Sequence, residues 1–208
     1  MFGRRGFLLQ VLSAITIGAV DFVWAQVTRK PIPRGTDRKD LVNVNPAEVD
    51  ASSLEITKLE DFGVMGLDSY EAELKSWQLI VDGNVGKPLS LQFEDVLKLP
   101  PLEKAVLLVC PGFFVNHGIW TGFSLNELLK QAEVKGGTEY LTIRGPEGNY
   151  EKVERFNWPD IVQEKVFLAY KVNGVLLPKK HGFPLRVVAQ DHYGSQWVKY
   201  VYRITAHA

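Results

Sequence analysis

Cysteine is almost missing from this chain: Cys110 is the only one in 208 residues. A single thiol excludes an intrachain disulfide framework, and with it any zinc or iron–sulfur site built from several cysteines. Net charge is missing as well, because 24 Lys+Arg balance 24 Asp+Glu. No overall field therefore draws the chain to nucleic acid or to an anionic membrane, and any anion site must come from local clustering. The sequence has no Gly-x-Gly-x-x-Gly, no Gly-Lys-Ser/Thr phosphate loop, no His-Glu-x-x-His, no Gly-x-Ser-x-Gly and no Cys-x-x-Cys-His. That takes away the fingerprints of dinucleotide, nucleoside-triphosphate, zinc-protease, serine-hydrolase and covalent-haem chemistry. Internal repeats and low-complexity runs are absent too.

What remains is an ordinary globular composition, 46% apolar and 23% charged, of a length that suits one domain or one domain with an extension. The first stretch stands apart. Arg4-Arg5-Gly6-Phe7-Leu8-Leu9 opens an apolar run to about Val20, and Val23-Trp24-Ala25 offers a cleavage site before Gln26. Residues 1–25 read as a twin-arginine export signal to the periplasm. Asp21 interrupts the run, which is short and mixed for a membrane span; cleavage after Ala25 and retention as an uncleaved anchor both stay open. Residues 26–54 are rich in Pro, Arg, Asp and Asn and read as an extended arm, leaving 55–208 as the globular domain.

Within that domain, residues 77–81 read as a strand ending at Asp82-Gly83, and 93–99 as a short helix stopped by Pro100-Pro101. Residues 105–109 read as a buried strand that delivers Cys110. Ser124-Leu125-Asn126-Glu127 is a capping box for a helix with Leu125, Leu128, Leu129 and Ala132 on one face. Residues 140–143 and 150–153 flank a Gly-Pro-Glu-Gly turn as a hairpin, and 166–172, 185–189 and 197–204 are further strands. Many strands with scattered short helices give a mixed α+β class without regular βαβ alternation.

Cys110 sits in Val109-Cys110-Pro111-Gly112, where a thiol is either a small buried apolar side chain or a soft ligand at a loop mouth. A Cys/His nucleophile pair would need His117, His181 or His192 within reach of the sulfur. Lys179-Lys180-His181, Arg186 and Lys199 gather cations beside glycine turns at Gly182 and Gly194, a set suited to phosphate oxygens or, alternatively, to a solvated surface.

Taken together, Val109-Cys110-Pro111-Gly112, Trp120-Thr121-Gly122, Leu168-Ala169-Tyr170-Lys171-Val172-Asn173-Gly174, His181-Gly182-Phe183-Pro184-Leu185-Arg186 and the later Lys199 resemble the sulfite-oxidase-type molybdopterin oxidoreductases over roughly residues 55–205. That family includes the catalytic subunit of periplasmic methionine sulfoxide reductase. The resemblance implies the sulfite-oxidase molybdopterin-binding fold and a Mo-molybdopterin cofactor with Cys110 as its single protein thiolate. It implies that His181, Arg186 and Lys199, with the backbone of Trp197 and Val198, hold the pterin phosphate. Gly63, Val64 and Met65 match an upstream pterin-contacting segment, and Trp120 is a wall of the site or a core aromatic.

The departures from that pattern set further expectations. Sulfite oxidases carry an arginine where this chain has Met65, and a catalytic tyrosine and a dimerisation domain beyond the equivalent of Lys199. Neither of the last two is expected in a sequence that runs to Ala208. With Phe113-Phe114-Val115 making the entrance apolar, an S-oxide or N-oxide is favoured over sulfite. Two-electron, oxygen-atom-transfer chemistry is expected, with electrons exchanged through a separate cytochrome or membrane subunit and no nucleic-acid partner. The alternative is a non-catalytic assembly or electron-relay subunit that keeps the fold.

Overall fold

The computed structural model describes residues 28–148 and 152–208. The expected export signal lies outside the described residues, as do Tyr150 and Glu151 of the expected hairpin. Among the described residues, no helix is long and apolar enough to cross a membrane.

The arm is fastened to the domain. Its strands β1 (Lys30–Pro31) and β2 (Val49–Asp50) pair in parallel around a 3-10 turn, Arg38–Leu41, capped by the Asp37 carboxylate. The widely spaced apolar residues Ile32, Leu41 and Leu54 bury against Leu107, Val109 and Val115 of the domain. A salt bridge from Arg29 to Asp191 at 2.8 Å closes the same contact.

The domain then builds two five-stranded sheets. β3 (Leu79–Gly83) and β4 (Leu89–Leu91) form a hairpin, followed by α1 (Phe93–Val96), whose Gln92 and Asp95 make a reciprocal capping box. The helix is shorter than expected because β5 (Pro101–Cys110) begins directly after Pro100; a proline at the first residue of an edge strand removes no needed donor. β5 runs back as β6 (Phe114–Ser124), an eleven-residue strand that the sequence pattern did not announce, since nearly every side chain in it is buried and no alternation marks it. Ser124 caps α2 (Leu125–Gln131) by accepting from Glu127 N–H, but the Glu127 carboxylate pairs with Lys130 at 2.6 Å, so only half of the expected box forms.

β7 (Tyr140–Arg144) pairs with β8 (Val153–Asn157), after which come α3 (Trp158–Val162) and β9 (Val166–Val172). Asn173 and Gly174, both at positive φ, turn β9 into β10 (Val175–Leu176), and β11 (Arg186–Ala189) pairs with β9. The chain finishes in β12 (Arg203–His207). The expected strand over 197–204 is not one strand: Trp197 closes the 3-10 turn Gly194–Gln196, and Tyr200 takes a left-handed φ of 56° that breaks any extended run. One sheet has the order β10-β9-β6-β5 with β11 also on β9, and the other β4-β3-β12-β7-β8 with β3 and β12 parallel. The fold is thus mixed α+β, and its large shared core includes Trp120, Phe123, Phe156 and Phe167.

Candidate functional site

β5 is continuously buried from Val106 onward and ends at Cys110, which is 7% exposed. The reversal beyond it is fixed at both sides: Phe113 N–H donates to the Cys110 carbonyl at 3.0 Å, and Gly112 N–H donates to Val42 of the arm at 3.1 Å. The Cys110 thiol lies 3.5 Å from the Met65 thioether sulfur. Met65 is brought there by Gly63, which lies flat on the Phe114 ring; a Cβ on Gly63 would come within 2.2 Å of Phe114 Cγ. Burial pushes the thiol up from its ordinary range, partly opposed by the charge of Lys152. The free thiol is therefore neutral at neutral pH, and a bound metal would displace its proton.

A second group of side chains comes from irregular backbone. His181 ends the 3-10 turn Lys179–His181, Gly182 follows at φ 105°, and Arg186 opens β11 and bridges to Lys199. A Cβ on Gly182 would lie 3.0 Å from Lys199 Cβ and 3.2 Å from Arg186 Cβ, so this glycine lets the two cations stand side by side. Arg186 is 4% exposed, donates from Nη1 to the His181 carbonyl at 3.1 Å, and lies over the Trp120 ring at 4.9 Å. Its Nε and the His181 Nε2 are buried without a hydrogen-bond partner. Burial brings Arg186 down to about 10. Burial and then the charges of Arg186, Lys180 and Lys199 bring His181 down to about 4, so its imidazole is neutral at pH 7. Lys199, brought down to about 8 mainly by burial, donates to the carbonyls of Leu67 at 2.8 Å and Lys180 at 2.9 Å.

The thiol and the cations open onto one cavity of about 460 Å³, within the range of small-molecule and cofactor sites. Of the residues expected at the site, Cys110, Gly63, Val64, Met65, His181, Arg186, Trp197 and Lys199 all line it. Val198 does not: it is fully buried, and its carbonyl accepts from Val187 N–H at 2.8 Å. Trp120 resolves to the core alternative, fully buried behind Arg186 with its indole N–H on the Val106 carbonyl. His117 faces the arm, where it meets the Leu54 carbonyl, and His192 pairs with Asp160. Among the described residues no imidazole is the hydrogen-bond partner of Cys110, so a Cys/His nucleophile pair is not assembled. Lining residues that sequence reasoning passed over include Asn116, Lys152 and Tyr200. Tyr200 stands next to Lys199, a signal that was available. Asn116 acts on Gly63, 53 positions away, and nothing local announces it.

Among the described residues, no group of three or more His, Cys, Asp or Glu could hold a metal ion. A metal here would need ligands beyond those that the described side chains supply.

Comparison with known proteins points the same way. A family model described as the oxidoreductase molybdopterin binding domain matches residues 67–208. The NADPH nitrate reductases of Aspergillus niger and Beauveria bassiana are 26% and 27% identical over 158 and 157 residues, 64% of this chain and 18% of theirs. The match thus spans less than a fifth of those relatives. The protein-methionine-sulfoxide reductase catalytic subunit MsrP of Ralstonia nicotianae is 25% identical, over 98% of this chain and 69% of that protein. The crystal structure of the sulfane dehydrogenase SoxCD from Paracoccus pantotrophus shares the fold at a TM-score of 0.63 and 22% identity, covering 91% of this chain and 55% of that one. With the family model covering well over half of its length, the chain belongs to the oxidoreductase family of molybdopterin-binding domains.

Proposed function

We propose that this chain is an exported molybdopterin-dependent oxidoreductase in which Cys110 gives molybdenum its single protein thiolate. His181, Arg186 and Lys199, with the backbone of Trp197, hold the phosphate end of the pterin, and Gly63, Val64 and Met65 border its body; Val198, which does not reach the cavity, is left out of this set. One observation carries the reading: the buried Cys110 thiol lines the same cavity as Lys199 and the buried Arg186 and His181, whose Nε and Nε2 lack hydrogen-bond partners. Unpaired buried donors are costly, and an anionic group would satisfy them. A soft thiolate suits a metal already bound by sulfur. When bound, the cofactor supplies two-electron, oxygen-atom-transfer chemistry. The chain's own residues bind and orient it: Arg186 offers a planar fork, Lys199 a point charge, and neutral His181 a ring nitrogen.

Met65, Leu108 and Phe114 make the surroundings of Cys110 apolar, and no arginine stands at position 65. This supports an S-oxide or N-oxide substrate over sulfite, in keeping with the sulfoxide reductase among the relatives. Electrons would pass through a separate cytochrome or membrane subunit. Residues 1–25 would direct the chain to the periplasm by the twin-arginine route, with 26–54 as the arm and 55–208 as the catalytic domain.

The test is Cys110→Ser, with metal analysis of protein purified after export. Near-stoichiometric molybdenum is expected in the wild type, and turnover is lost in the variant while circular dichroism stays the same. Wild-type activity in the variant would sink the thiolate assignment. An intact wild-type chain without molybdenum would favour a non-catalytic module.

A further inference from the structure

The thiol side of the cavity and its cationic side are spanned by one short segment, and one side chain holds that segment in place. Asn116, 2% exposed, donates from Nδ2 to the Gly63 carbonyl at 3.1 Å and accepts from Gly63 N–H at 3.0 Å. Its side-chain amide thus does what a neighbouring strand's peptide would do, along the part of β6 that precedes the pairing with β9 at Trp120. On one side of Gly63, the Phe62 ring meets His181 edge-on at 5.6 Å and Trp120 at 6.0 Å. On the other, Met65 reaches the Cys110 thiol. The next anchor along the chain is Leu67, whose carbonyl accepts from Lys199. Between the two anchors lie only Val64, Met65 and Gly66.

We propose that Asn116 is a positioning residue that latches Gly63 to β6 and thereby holds residues 62–65 as a cover across the cavity, with Met65 screening Cys110 and Phe62 screening His181. Thr57 makes a comparable pair farther along the same edge, its N–H donating to the His117 carbonyl at 2.7 Å and its hydroxyl accepting from His117 N–H at 2.9 Å. Thr57 therefore serves as the control for general loosening. The inference deepens the proposed site and rests on that reading only for what fills the cavity.

Because Cys110 is the only thiol, its alkylation by N-ethylmaleimide reports the cover directly in the full chain purified free of molybdenum. Asn116→Leu keeps the volume and removes both bonds. Losing two such bonds from a local opening equilibrium raises the alkylation rate about tenfold or more. Thr57→Val, with a similar fall in Tm, leaves the rate within about threefold of wild type if opening is local. Met65→Ala, which removes the screen without touching the latch, also speeds alkylation. The proposal is overturned if Asn116→Leu alkylates at the wild-type rate, if Thr57→Val speeds the reaction as much, or if Met65→Ala has no effect. The same reagent on the molybdenum-loaded wild type separates the two ideas. Equal rates with and without metal would refute the thiolate ligand while leaving the latch result standing.

Discussion

The two ends of the cavity are made by opposite means. The thiol end is regular: ten residue pairs run unbroken from Pro101 opposite Phe123 to Cys110 opposite Phe114, and the thiol is simply the last side chain of a strand. The cationic end is irregular, drawn from a 3-10 turn, the first residue of a short strand and a lone bridge, with left-handed backbone at Gly182 and Tyr200. In a ladder the backbone groups are engaged with their neighbours, which suits a site that needs one sulfur. A turn lets side chains and backbone donors converge from several directions, which suits an anion. The electrostatics divide the same way. Burial makes Cys110 harder to ionise, and so neutral, while Arg186 and Lys199 stay charged at pH 7 although burial pulls both down.

The largest effect separating the two ends is expected from Arg186→Met. Holding a guanidinium at about 10 where the free group titrates near 12.5 is a penalty on the order of 3 kcal/mol for the charge, fully present below pH 10. Methionine removes that penalty together with one hydrogen bond and the stacking on Trp120. The metal-free variant should therefore keep or raise its Tm, whereas pterin and molybdenum content should fall about a hundredfold with the loss of charged bonds to the phosphate. Thermal melts of metal-free chain and metal analysis of loaded chain check both halves. A lower Tm with unchanged loading would mean that Arg186 serves the fold and not the cofactor.

This division also explains what could be read in advance. Cys110 was legible because a lone cysteine after an apolar run is conspicuous, and the cations because His181-Gly182 and Arg186 crowd one short stretch. That they meet Gly63 and Met65 in one cavity follows from pairings dozens of residues apart, which no local pattern encodes. β6 escaped because burial on both faces erases alternation. The run 197–204 misled for the reverse reason: its Trp, Val, Tyr and Ile favour strand, yet the bridge to Arg186 and the left-handed Tyr200 keep it irregular until β12 begins at Arg203. The arm's role was hidden because Ile32, Leu41 and Leu54 are too far apart to form a pattern and find their partners only on β5 and β6.

A middle-sized effect concerns Lys199. Because its folded value lies near 8 and its free value near 10.5, the folded metal-free chain binds fewer protons than the unfolded chain between those pH values. Lys199 should therefore contribute a rise in the stability of the metal-free chain as pH goes from 8 to 10, set against the opposite slope of the raised Cys110 thiol, and Lys199→Met should remove that contribution. Phosphate-bearing ligands behave oppositely. Their affinity should drop about tenfold as pH climbs through 8 and the ammonium is lost, a step missing from the variant. Denaturant melts and inorganic phosphate titrations over the same interval read both slopes. The interval stops at 10 because Tyr200, pushed up to about 12 chiefly by burial, contributes the opposite slope above it.

The smallest effect is the most direct test of regular against irregular construction, and it uses one glycine from each end. Gly63 has ordinary backbone, and only the Phe114 ring stands where a Cβ would go. Gly182 has φ 105°, where any side chain is strained whatever surrounds it. Each Gly→Ala change should lower stability by about 1–3 kcal/mol, but for different reasons. At Gly63 the damage is a clash between two side chains, so Phe114→Ala should recover part of the loss, and a double-mutant cycle should show a coupling of about 1 kcal/mol or more. At Gly182 the obstacle is the backbone, so Lys199→Gly, which clears the Lys199 Cβ at 3.0 Å and Cγ at 3.1 Å, should recover much less. Equal rescue at both glycines would show that close packing and not backbone shape governs the cationic end, and the contrast between the two walls would fall.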